Sequence, residues 1–242
     1  MEGIELSYKF SILHALFNGF VFGFFFSFLG QYEKEQKGQA SFVYGKYIYM
    51  SGVTFLALFF IIGIIASIGT YLIVTNDVAT RFFFDGSPII AVILLLAQFS
   101  VWLLNIVTFN SFQVSVSEYR STNEANFSLL GPSGHRDAKE MFSFLSDHLI
   151  WIYLLAIIAA AILVWIGKKY LDGEIQSALI FSAIFAILFT FISVNSSLML
   201  EGNIEGEAGK FIIGFTVIRT FIGSFLFSSI FSFVGAKFLR KN

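Results

Sequence analysis

Six apolar stretches, each of about 20 residues or more, constrain this chain more than any other feature. They run roughly over 10–30, 47–74, 88–110, 146–167, 175–200 and 211–238, with polar connections between them. About 20 apolar residues in helical form cross roughly 30 Å of hydrocarbon. Lipid offers no water to a backbone N–H or C=O, so each stretch is expected to close its own hydrogen bonds as a helix. The expected fold is all-α: one polytopic integral membrane domain over 1–242, a bundle of six transmembrane helices. Composition agrees, with 57% hydrophobic and 13% charged residues, where a soluble domain carries about 25% charged.

The net charge of −1 gives no electrostatic case for nucleic acid. The chain has no cysteine, which excludes disulfides, thiolate metal sites and cysteine nucleophiles. Three scattered histidines, with no P-loop, zincin or dinucleotide-binding pattern, leave no expected metal, cofactor or catalytic set. The start "MEGIELSYKF" carries Glu2 and Glu5 where a secretory signal needs basic residues, so the first stretch is expected to stay as a span.

Six spans put both termini on one face. Lysine and arginine then divide seven against seven, with Lys46 on the face opposite the termini and Arg219 left aside. "GKKY" and "KFLRKN" abut their spans, which points to cytoplasmic termini. In the long connection 111–145, alternation at Phe112, Val114 and Val116 reads as a strand. "STNE" at 121–124 fits a capping box that would start a short helix. "DAKEMFSFLSDHLIW" would extend the fourth span.

Helices in lipid associate through small residues and polar contacts. The sixth stretch has small residues every fourth position, among them Ser224, Ser228 and Ser232; the fifth has Ser182 and Ala186, and the first Gly19 and Gly23. The short link "EGNIEGEAGK" makes the fifth and sixth helices antiparallel neighbours.

Arg219 lies about 12 Å inside the sixth stretch, where a charge is costly and seeks a partner or water. Tracking chain direction puts Asn105, Asn110, Asp147, His148 and Asn195 in the same leaflet, with Gln98 one heptad before Asn105. This pattern implies a hydrated polar vestibule, with Arg219 and Asp147 facing its interior. The plainer alternative has Arg219 snorkelling to the headgroups along its apolar neighbours.

Pro132-Ser133-Gly134-His135 is a tetrapeptide shared with the PAP2-type membrane phosphatases, but their remaining elements are missing and the segment reads as a Gly/Pro turn. Asn126-Phe127-Ser128 is a formal glycosylation sequon. Two functions stay open, the first favoured and the second its alternative. One is a transport or conduction component with a vestibule for anionic or polar solutes. The other is a structural or assembly subunit of a larger membrane complex. The expected surroundings are the lipid bilayer and either copies of the chain or other membrane subunits.

Overall fold

The computed structural model describes residues 5–7, 45–74, 89–118, 121–134, 140, 142–204 and 207–239. Helices dominate: α1 (Gly45–Val74), α2 (Ile89–Val107), the short α3 (Ser143–Asp147), α4 (Leu149–Tyr170), α5 (Ile175–Asn195) and α6 (Val217–Phe238). Four segments are long and apolar enough to cross a membrane: Gly45–Ile65, Leu149–Tyr170, Ile175–Asn195 and Val217–Phe238. None contains proline, so every interior carbonyl keeps its intrahelical donor.

The all-α expectation omits a sheet. Strands β1 (Glu5–Ser7), β2 (Phe112–Glu118), β3 (Ser121–Ser128), β4 (Gly131–Gly134), β5 (Leu198–Ile204) and β6 (Glu207–Gly214) form one antiparallel sheet in the order β1-β5-β6-β2-β3-β4. The alternation from Phe112 becomes β2. The "STNE" segment opens β3 rather than a helix, because Ser121 to Glu124 pair in register with Glu118 to Ser115. Gly131–Gly134 is an edge strand on β3, and the turn falls at Leu129 and Leu130. Asn126 therefore sits in a strand paired on both sides, opposite Gln113 and Ser133, rather than in a loop.

The sixth stretch also divides. Residues 207–214 pair with β5 and β2, so the helix starts at Val217, six residues later than the sequence suggests. The fourth stretch breaks at His148, which closes α3 and opens α4. The first stretch, with Gly19 and Gly23, lies outside the described residues.

The bundle is arranged around α6, which packs against both α4 and α5. At its foot α6 crosses α4 at two glycines. A Cβ on Gly167 would overlap the Ser232 carbonyl, and one on Gly235 would overlap the Val164 carbonyl, so the backbones touch directly. This is the close approach that small residues permit in lipid. Ser182, Ala186, Ser224, Ser228 and Ser232 are all fully buried in the bundle. Ser224 Oγ and Ser228 Oγ return their protons to the carbonyls of Thr220 and Ser224, at 2.6 and 2.7 Å. On the other side of α5, Tyr47 Oη donates to Ser177 Oγ and Ser51 Oγ to the Phe181 carbonyl, so α1 runs parallel to α5. Phe181, Phe185 and Phe189 stack in sequence down α5, and Phe189 meets Phe55 of α1 edge-on.

Two placements revise the expected topology. Lys46 Nζ lies 3.6 Å from Asp172 Oδ2 in the α4–α5 connection, so Lys46 belongs to the end where Lys168, Lys169 and Lys237 sit. The expected third span also stops short. Trp102 and Asn105 of α2 meet Ser196 and Ser193 at the C-terminal end of α5, and α2 finishes at Val107. At 1.5 Å per residue only about its last two turns run beside α5. The rest continues past the end of α5 along the second half of α1, where Gly63 meets Ser100. α2 therefore does not run the length of the bundle.

Candidate functional site

The polar side chains of the helices converge where α2 ends, α5 ends and α6 begins. Helix α2 closes with a Schellman-type ending, in which the backbone N–H groups of Thr108 and Asn110 both donate to the Asn105 carbonyl at 3.1 Å. The left-handed position of that motif, usually glycine, is Phe109, with φ of 67°. A non-glycine residue there costs about 1–2 kcal/mol. The Phe109 ring sits edge-on to buried Phe227 of α6, with centroids 5.0 Å apart, and this contact offsets the strain.

Asn105 lies inside this turn, fully buried. Its Nδ2 donates to Ser193 Oγ of α5 and to its own helix at the Val101 carbonyl, both at 2.8 Å. Ser193 Oγ passes its proton to the Phe189 carbonyl at 2.7 Å. Asn110 ties the same turn to α6. With its nitrogen facing that helix, it donates to the carbonyls of Arg219 and Thr220 at 3.1 and 3.2 Å, and its oxygen accepts from Thr108 Oγ1 at 3.1 Å. The opposite orientation would set oxygen against two carbonyl oxygens, so the hydrogen-bond network fixes the amide. Gly223 makes this approach possible, since a Cβ there would collide with the Asn110 side chain. Trp102 Nε1 adds a bond to the Ser196 carbonyl at 3.1 Å.

Among the described residues, Thr190 Oγ1 of α5, Thr220 Oγ1 of α6 and Gln98 Nε2 of α2 are buried near the junction without a hydrogen-bond partner. Ser182 and Ser232 hydroxyls, further down the bundle, share that condition.

The expected vestibule residues separate into two groups. Asn105 belongs to the buried junction, and Gln98 lies two turns before it on α2. Asn195, the last residue of α5, donates back to the Phe191 carbonyl of its own helix at 2.6 Å and is half-buried. Arg219 contributes its backbone carbonyl to the junction, but its side chain is exposed in the first turn of α6. Asp147 is exposed at the end of α3, and His148 is half-buried at the α3–α4 break. No ion pair joins Arg219 to Asp147 among the described residues. Ser193 and Thr108 carry no signal in the sequence, because a hydroxyl within an apolar run does not reveal whether it faces lipid or a neighbouring helix.

The sheet joins this end of the bundle through aromatic rings. Phe112 packs against Trp102, Phe142 and Phe215 with centroids 5.0 to 6.0 Å apart, and Phe142 meets Phe127 at 5.6 Å. The four phenylalanines are buried. Tyr153 Oη of α4 donates to the Leu129 carbonyl in the β3–β4 turn at 2.7 Å.

Several apolar helices long enough to cross a bilayer, with apolar residues such as Ile150, Ile157, Ile218 and Ile222 turned outward, are the build of a multi-pass integral membrane protein. No protein-family model, curated protein or solved structure matches the chain. Among the described residues no three His, Cys, Asp or Glu side chains gather to hold a metal ion.

Proposed function

We propose that the chain is a structural or assembly subunit of a membrane complex, holding an antiparallel sheet rigidly at one face of the bilayer. The observation that supports this reading is the buried aromatic cluster of Phe112, Phe127, Phe142 and Phe215. It packs strands and loops against Trp102 of α2, which favours a sheet held firmly on the helix ends. The bundle beneath is filled by Phe181, Phe185, Phe189 and Phe227 together with buried hydroxyls such as Ser182, Ser224 and Ser228, two of which return their protons to their own helix. Charge favours one orientation. Lys46, Lys168, Lys169 and Lys237 abut helix ends on the face away from the sheet, which the positive-inside rule assigns to the cytoplasm. The sheet then faces the other compartment, where other membrane subunits or copies of this chain dock.

Native mass spectrometry of the gently extracted protein tests the proposal. Reproducible co-purification with different subunits is the expected result. A bare monomer contradicts it.

The unpartnered hydroxyls of Thr190, Thr220, Ser182 and Ser232 favour a second reading, conduction of a polar or anionic solute past Arg219. That reading requires a flux of chloride, phosphate or carboxylate that Arg219→Gln abolishes in folded protein.

A further inference from the structure

We infer that the α2–α5–α6 junction is a binding site for ordered water, held by Thr190 and Thr220 against the Asn105–Asn110–Ser193 network. Both threonines are more than nine-tenths buried, and neither hydroxyl has a partner among the described residues. Both stand beside that network. Thr190 precedes Ser193 by three residues on α5, so it lies one turn below the Asn105 bond. The Thr220 carbonyl itself accepts from Asn110.

The site is neutral. Neither α5 nor α6 contains a carboxylate, and the Arg219 guanidinium points outward. A cation would find no countercharge there, and an anion no positive one. Buried water typically makes about three hydrogen bonds to otherwise unsatisfied polar groups, and hydroxyls and amides suit it in both roles, as donor and acceptor. Leaving the two hydroxyls dry would keep the full cost of desolvating them. Water relieves it at the end of α5 and the start of α6, where the chain passes into the paired strands β5 and β6. The site stands whether the protein anchors a complex or conducts a solute.

Water-edited solid-state NMR on threonine-labelled protein in bilayers reads this directly. Thr54 is the dry internal control: it is fully buried, and its hydroxyl donates to the Met50 carbonyl at 2.6 Å. The expected result is early polarisation transfer from water to Thr190 and Thr220 and late transfer to Thr54. Transfer to all three at the rate of Thr54 would overturn the proposal. The isosteric variants Thr190→Val and Thr220→Val provide a second, independent sign. With water present, each lowers Tm and the double variant falls by less than the sum. If the hydroxyls are buried dry, valine raises Tm in both.

Discussion

At the scale of single residues, the cost of a group depends on where its atoms end, and sequence position is a poor guide to that. Arg219 sits among Val217, Ile218, Phe221 and Ile222, which reads as deep burial. Its exposed position in the first turn of α6 removes the need for a partner. A cation at a helix N-terminus gains nothing from the helix dipole. Arg219→Gln is therefore expected to change stability by no more than about 0.5 kcal/mol in either direction, measured by denaturant unfolding in detergent micelles. Asn105 is the opposite case. One asparagine in an apolar helix looks incidental, yet it links α2 to Ser193 of α5 and lies inside the Phe109 turn. Asn105→Ala is expected to cost about 1–2 kcal/mol in the same assay, the range of an interhelical hydrogen bond in a membrane plus a small void. Phe109→Gly separates two opposing terms. It relieves about 1 kcal/mol of left-handed strain but removes a ring packed on Phe227, so the net change should be destabilising.

At the scale of elements, helices were legible wherever apolar runs were long and lacked competing partners. Those now seen as α1 and α4 match the expected spans to within three residues at each end, α5 falls inside its own, and α6 occupies most of the sixth. The strands were harder to see. Phe211, Ile212 and Ile213 continue the apolar run of α6 without a break, and nothing local tells them from a helical turn. Their conformation is set by partners at 114–116 and 198–200, far away in the chain. "STNE" failed for a related reason: its capping-box spacing is satisfied by chance, and pairing with β2 overrides it. The α4–α6 crossing was also hidden. Gly167, the last residue of the expected fourth span, lies inside α4, where Ser232 of α6 approaches. Gly167→Ala or Gly235→Ala inserts a methyl into backbone and should destabilise by about 1–3 kcal/mol, as overpacking does. Alanine at Gly173, where φ is 83° and the site is a loop, should cost only the local backbone term. Thermal unfolding of the three variants side by side checks the contrast.

At the scale of the whole molecule, hydropathy indicated a membrane protein, and four of the expected crossings are long, apolar helices among the described residues. A 19-residue apolar helix such as α2 is long enough to span, and only its contacts with the end of α5 reveal that it does not follow the bundle. Glu5–Ser7 pairs with β5 in the sheet, so the first and last described elements end at opposite faces rather than sharing one, and Lys46 lies beside Asp172 rather than across the membrane from it. Relocated, it joins the cations at the foot of α4 and α6, and the sheet occupies the opposite end with the polar junction beneath it. The most direct test uses the absence of cysteine, which gives single-cysteine variants a silent background. Exposed positions Glu124 in β3 and Asp172 in the α4–α5 connection would each be replaced by cysteine and treated with an impermeant thiol reagent on sealed cells, then after permeabilisation. Cysteine at 124 should label on intact cells and cysteine at 172 only once the membrane is opened. Labelling of both from the same side would contradict the arrangement of sheet and helix ends on which the account rests.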